Sequence, residues 1–488
     1  LSRPRRFGKS LLLSTMKAYF EGKKHLFEGL AIAELEKEWT KYPVIYIDLT
    51  QTEYRNEKDL HDALNSILSK YEEEWNVKSV ERKHSLRFKN VITAAHKETK
   101  QKVAVLVDEY DKPLIGTMDD FNVHDDIRIA LRGFYGVLKS MDEYLRFLCL
   151  TGVTKFSKLS VFSDLNQPDD ISMDESYAGI CGITGRELLD NFKPEIKLLA
   201  KRQKMTVKQA LAEIKKRYDG YRFASEGEDV YNPFSVLKTL SKRKFDSYWF
   251  ETGTPNMLAR QVRRSGMDIL KLDGDTVVSA ARLRDYRPGE TSLVPLLFQS
   301  GYLTVKSYNR RLDAYTLGFP NEEVKYGFLE QLLPAYLPKW NTEETFSVMA
   351  FVEEVLAGNV NEFMTLLRAY FASISYDLLK KENKNERYYQ MIFYMIFSLA
   401  GQFVDTEVKS AGGRADAVVK TENAIYVFEF KMDDKATAED ALDQIENKGY
   451  SIPYTADHRK IVKIGVEFSV KEGGIKRWKA VSDMLEIT

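Results

Sequence analysis

Two kinds of apolar pattern alternate along the first part of the chain. Pro43 to Leu49 reads as a strand, and the apolar runs at 103–107 (VAVLV) and 145–150 (LRFLCL) read as strands covered on both faces. Between them lie longer amphipathic stretches with helical spacing, beginning with Ser10 to Phe20 and including a charged stretch that ends near Thr99. Strand and helix in alternation over the first 190 residues predict an α/β domain with a largely parallel sheet. From 191 to about 285 the pattern turns helical, with turn signals at Asp219-Gly220 and Asn232-Pro233. Residues 293–378 read as a short hairpin around Tyr302 to Leu317 followed by helices, and the chain from about Glu382 as helix, strand, strand, helix, strand. The longest apolar stretch, Met391 to Ala400, is about half a bilayer span and predicts a buried helix, with no membrane partner. No internal repeat or low-complexity segment is visible.

A chain of 488 residues exceeds one ordinary core. We expect units at 1–190, 191–290, 291–378 and 379–488. Charged residues make up 30% and apolar residues 44%, values of a folded protein; with Lys plus Arg and Asp plus Glu both at 72, no overall field draws in a polyanion. Locally, residues 201–265 hold 15 Lys and Arg against 7 Asp and Glu, either solvated helix faces or a surface that tracks phosphates. Cys149 and Cys181 show no CxxC or Cys/His spacing, which argues against a disulfide framework or zinc and for a reducing cytoplasm. The first residue is Leu1, and no charged-then-apolar leader follows, so the sequence reads as a fragment.

Gly8-Lys9-Ser10 stands directly before the first helix. Unpaired N–H groups at a helix start, a glycine that lets the backbone approach, a lysine for the outer phosphates and a hydroxyl for magnesium are the parts of a nucleotide site. A bare GKS is common, and Arg3 stands where the usual phosphate loop has its first glycine. The strand 103–107 then delivers Asp108 and Glu109 at its carboxyl end, where ligands of open α/β sheets gather. Asp108 would hold magnesium and Glu109 would position the attacking water; the plain alternative is a solvated loop.

At the other end, residues 412–431 (GGRADAVVKTENAIYVFEFK) read as two strands joined at Glu422-Asn423. Pairing Thr421 with Ala424 puts Asp416 opposite Glu429, and alternation puts Lys431 on the same face, with Tyr426, Phe428 and Phe430 on the other. Two carboxylates so placed suit a hard divalent cation, and a lysine beside them can orient a water or steady charge on a phosphate. ExK on a strand is also common as an ordinary surface ion pair.

RPRRFGKSLLLSTM, VLVDEYDKPL, LTGVTKFSKLSVFSDLN (150–166), YDGYRF (218–223) and VYNPFSVL (230–237) together resemble the predicted AAA-ATPase-like family of bacterial proteins, over roughly residues 1–255. The resemblance implies a P-loop core, an Arg3 that belongs to the loop, and Thr151 as a sensor of the outer phosphate. A strand should precede such a loop, and this sequence begins without it. GRADAVV, YVFEFK, ALDQIENKGY (441–450) and KIVKIGVEFS (460–469) resemble the PD-(D/E)XK nuclease-like domain that follows in that family, over about 380–485. This implies a restriction-endonuclease-like mixed sheet, Asp416 and Glu429 as metal ligands, Lys431 as catalytic lysine and Gln444 facing the site, with Glu386 and Glu407 as candidate accessory acids.

The resulting expectation is an α/β protein that binds ATP or another NTP and uses Mg2+, or Mn2+, to hydrolyse nucleic acid, DNA more than RNA. A homo-oligomer is compatible with it. The alternative is a nucleotide-controlled regulator whose rear domain binds nucleic acid or a partner without cutting.

Overall fold

A computed structural model describes residues 1–78, 81–118, 120–154, 168–252, 256–284, 292–336, 348–372, 386–401, 403–410 and 413–483. The chain is mixed α/β and divides into two compact units, Leu1–Thr252 with Asp273–Val324, and Gly253–Leu272 with Lys325–Thr488.

The first unit is built on a parallel sheet of β1 (Val44–Asp48), β2 (Val103–Asp108) and β3 (Leu145–Leu150), in that order. All six residues of β2 are buried, which is why its sequence is continuously apolar and does not alternate. Helix α1 (Lys9–Phe20) covers one face, where Leu13 and Phe20 meet Val44, Ala104 and Leu106. Leu13, Phe20 and Leu106, buried in this way, contribute about 1.5–3 kcal/mol each. Helices α2 (Glu57–Glu74) and α3 (His84–Thr99) replace the single charged stretch expected to run to Thr99. The residues before the Gly8 turn extend the parallel arrangement beyond β3: Leu1 nitrogen donates to the Leu150 carbonyl (2.9 Å), Gly152 N–H to Leu1 O (3.2 Å) and Arg3 N–H to Gly152 O (3.2 Å). They thereby hold the Gly8 turn at the carboxyl end of the sheet.

The same unit carries a helical bundle of α4 (Lys193–Arg202), α5 (Val207–Tyr218) and α6 (Pro233–Lys242) around Ile196, Leu199, Ile214 and Val236. Its helix starts are chemically specified, by a Thr206–Gln209 capping box and by Asn232 capping Ser235 ahead of Pro233. Strands β4 (Thr276–Ser279), β5 (Thr304–Asn309) and β6 (Ala314–Gly318) form a small antiparallel sheet that contains the expected hairpin.

In the second unit, α7 (Glu386–Leu399) packs on a five-stranded mixed sheet of β7 (Phe403–Ser410), β8 (Gly413–Lys420), β9 (Ala424–Met432), β10 (Lys460–Ser469) and β11 (Gly474–Asp483), ordered β11-β10-β9-β8-β7. Helix α8 (Ala438–Asn447) connects the parallel pair β9 and β10. The sequence pattern showed only the three inner strands; β7 and β11 are the two edges, and their mixed polar sequences hide them. Phe428 and Phe430 meet Phe393 of α7 at 4.7 and 5.1 Å between ring centroids, and the Tyr426 hydroxyl donates to Val355 O, so the aromatic face of β9 is core. On the opposite face Ile425 and Val427 pack with Val418, Leu442 and Ile445 beneath α8. No helix among the described residues is long and apolar enough to cross a membrane.

Candidate functional site

At the front sheet, Gly8 takes a left-handed backbone (φ +83°) as N-cap of α1, and no side chain caps that helix. Its first N–H groups are therefore open to an anion. Lys9 is buried and its ammonium donates to the carbonyls of Arg3 (3.0 Å) and Pro4 (3.2 Å), while Ser10 is exposed beside it. Burial lowers the Lys9 pKa, and the negative charges of Glu109, Asp111 and Asp108 oppose that. The same residues thus form one electrostatic group with the loop. Asp108 is buried and accepts from the hydroxyls of Thr151 (2.8 Å) and Tyr46 (3.2 Å). Thr151 is one residue past β3, and Glu109 stands half-buried in a left-handed conformation (φ +48°), an uncommon backbone for a non-glycine residue.

Arg3 explains its own place in the loop. It is 1% exposed, donates to the carbonyls of Ser172 (2.7 Å), Tyr177 (2.7 Å) and Ile180 (3.1 Å), and lies 4.3 Å from the Phe223 ring. Burial lowers its pKa to about 10. A glycine here could not pin the loop to the 172–180 segment, so the departure from the usual pattern has a structural cause. Asp111, which the pattern did not single out, is fully buried; one oxygen accepts from the N–H groups of Val153 (2.9 Å) and Thr154 (2.5 Å), and Oδ1 has no partner. Burial raises its pKa to about 7. Residues 155–166 of the third matching segment lie outside the described residues.

At the rear sheet, the hairpin register follows from its turn: Thr421 N–H bonds Ala424 O (2.9 Å), and Lys420↔Ile425 to Ala417↔Phe428 pair in sequence. Asp416 stands one step beyond that ladder and is also skipped between Ala415↔Val408 and Ala417↔Thr406. Its carboxylate accepts instead from Phe430 N–H (2.6 Å) and from the Gln390 amide (2.9 Å). Glu429 is 2% exposed; its Oε1 accepts from Lys431 (2.7 Å) and Gln444, and its Oε2 has no partner.

Burial, followed by the charge of Glu429, raises the Asp416 pKa to about 8. Burial also raises Glu429, with the Lys431 hydrogen bond opposing. The structure therefore brings Asp416, Glu429, Lys431 and Gln444 together. Glu386 is half-buried at the start of α7 and accepts a long bond from Gln390 (3.5 Å). Glu407 lies within β7, but its side chain is outside the described residues. Gln390 was not foreseen: a glutamine on the buried, mostly apolar stretch of this helix is 4% exposed, and its spacing from the helix start was the available signal.

A parallel sheet with a lysine-bearing loop at its carboxyl end, and a mixed sheet carrying a D…ExK cluster, together define the class. A family model for predicted AAA-ATPases matches residues 1–162, one for the PD-(D/E)XK nuclease superfamily matches 384–478, and the chain belongs to the bacterial AAA-ATPase-like proteins that join the two. Among its relatives is an uncharacterized protein in the vnfD 5′ region of Azotobacter chroococcum mcd 1, 37% identical over 480 residues that cover 96% of this chain and 89% of the relative. No solved structure matches the chain.

Proposed function

We propose that the chain joins an NTP-binding unit with ATPase activity to a metal-dependent nuclease that hydrolyses phosphodiester bonds, of DNA before RNA. The observation that carries the nuclease half is the buried Oε2 of Glu429, a carboxylate oxygen without a hydrogen-bond partner beside a second carboxylate of raised pKa. An oxygen so placed is costly unless a proton or a cation meets it, and Lys431 on the other oxygen opposes the proton. Among the described residues no group of three His, Cys, Asp or Glu side chains has metal-holding geometry. Two carboxylates remain as the donor set, which suits magnesium or manganese completed by water and phosphate better than zinc. Asp416 and Glu429 would hold that cation, and Ser10 and Asp108 the magnesium of a nucleotide.

Bound there, a divalent cation supplies positive charge against the phosphate and a more acidic water. The rest is the chain's own work. Gln444 and Lys431 hold Glu429 through one oxygen and leave the other free; Phe430 N–H and Gln390 fix Asp416. Lys431, half-buried, can turn its ammonium from Glu429 to the phosphate and steady the charge that builds during attack. At the front, Lys9 exchanges two loop carbonyls for the outer phosphates, Thr151 reports them, and Glu109 orients the water.

The test is cleavage of single- and double-stranded DNA with Mg2+ or Mn2+ by wild type and Lys431→Ala. The variant should lose about 100-fold or more of the rate. Equal rates would place the cutting at another site or in a contaminant, and binding without any cutting by the wild type would leave the regulator reading in its place.

A further inference from the structure

One end of the helical bundle in the first unit gathers cations in a way that helix stability does not explain. The last turns of α4 and α6 meet there: Arg202 donates to the Lys242 carbonyl (3.2 Å) and Gln203 to the Arg243 carbonyl (2.9 Å). This brings Lys201, Arg202 and Lys204 beside Lys242 and Arg243, all exposed. Helix α5 starts at the same end and adds exposed Lys208 in its first turn. No carboxylate occurs in residues 196–212 or 230–245; Asp246 follows and pairs with Lys244 (2.6 Å).

Cations at the ends of α4 and α6 suit the helix dipoles, and that accounts for part of the pattern. Three positions run against it. Lys208 places positive charge at a helix start, where a carboxylate is favoured. Lys204 and Arg243 hold left-handed backbones (φ +54° and +52°), which glycine adopts without steric cost and which long side chains adopt at a penalty. Charge is kept where the fold would prefer a different residue. We infer that this end of the bundle is a docking surface for the phosphate backbone of a nucleic acid, so that capture and cutting reside in different units. The choice of a nucleic acid as the polyanion rests on the nuclease reading above; the position of the surface does not.

The test uses the whole chain and a fluorescein-labelled duplex DNA in EDTA, so that no cutting occurs, with single-stranded DNA and duplex RNA as further arms. Lys201→Glu, Lys204→Glu, Lys208→Glu and Arg243→Glu combined should weaken duplex binding tenfold or more. The combination should also flatten the dependence of log affinity on log salt by about 3.6, near 0.9 for each of the four phosphates no longer neutralised. The double variant Lys204→Gly with Arg243→Gly separates binding from folding: it should melt no earlier than wild type and still bind several-fold more weakly. Unchanged affinity and salt slope in the quadruple variant, earlier melting of the glycine variant, or no binding by the wild type would each overturn the inference. Preference for an RNA arm keeps the surface and changes the strand. A wild type that binds but does not cut refutes the nuclease reading and leaves this surface standing.

Discussion

Among the described residues each of the two sheets carries a buried carboxylate oxygen without a hydrogen-bond partner, Asp111 Oδ1 at the front and Glu429 Oε2 at the rear, and their surroundings differ in kind. Asp111 is shut in. Its Oδ1 lies 2.5 Å from where a Cβ on Gly152 would stand, and its other oxygen is held by two backbone N–H groups. Only a proton can relieve it there. Glu429 has a second carboxylate beside it, a lysine on its other oxygen and no fixed donor on the free one. Meanwhile Asp108, the front residue cast as a magnesium ligand, already receives two hydroxyls. The lesson is that the front carboxylate is already engaged by hydroxyls of its own chain, whereas the rear carboxylate keeps one buried oxygen that no donor of the chain meets.

The largest effect should come from the shut-in group. Asp111 has a folded pKa of about 7 against an ordinary 3.8, so the native state binds its proton more tightly than the unfolded chain. Its contribution is fully present below about pH 4 and is lost as pH rises through 7, at most about 4 kcal/mol. Asp111→Asn should therefore remove much of the decline in melting temperature between pH 5 and 8. An identical decline in wild type and variant would show that Asp111 is not protonated in the fold. Next, Mg2+ or Mn2+ without nucleotide should stabilise the wild type by about 2.7 kcal/mol at one hundred times its dissociation constant. Because Asp416 must shed a proton held up to about pH 8, that stabilisation should grow as pH rises toward 8. Calorimetry showing equal stabilisation of Glu429→Gln would place the cation elsewhere.

How much of this the sequence carried depended on which physical constraint each element obeys. β2 was legible because a strand covered on both faces leaves a continuous apolar run. β3 was legible as a strand, but as an edge of the sheet it buries only Leu150 and is not covered on both faces as its sequence suggested. The β8–β9 register was legible because Glu422-Asn423 fixes the turn. The edge strands β7 and β11 obey neither rule; FVDTEVKS and GIKRWKAVSD mix polar and apolar residues as loops do. The D…ExK cluster followed from register, but the turning of Asp416 out of both ladders did not, because its partners come from Phe430 N–H and from α7. Arg3 and Asp111 were opaque for the same reason: their bonds run to residues about 170 and 42 positions away.

Lys9→Ala sharpens the comparison from the front. Removing a charge-assisted donor to phosphate should weaken binding of a fluorescent ATP analogue about 10–100-fold. The metal-induced stabilisation of the rear unit should stay as in wild type. Loss of both together would mean that the two sites do not act through separate residues.

The smallest effect, and the most specific, concerns Gln390. Its amide donates to Asp416 Oδ1, and its own oxygen accepts from Arg387 (3.0 Å), whose guanidinium also bonds Asp268 (2.8 Å). Gln390→Met fills similar volume on the buried face of α7 but leaves Asp416 with Phe430 N–H alone. Groups behind a metal ligand commonly matter about 10–100-fold, and because one donor survives here the loss of cleavage should stay below about tenfold. A purely structural glutamine predicts a different outcome, an earlier melt with an unchanged rate in the protein that is folded. Measuring kcat against Mg2+ concentration separates the two, since a displaced Asp416 shifts the metal requirement upward. An unaltered metal requirement with full rate would reduce Gln390 to a packing residue and the rear site to Asp416, Glu429, Lys431 and Gln444.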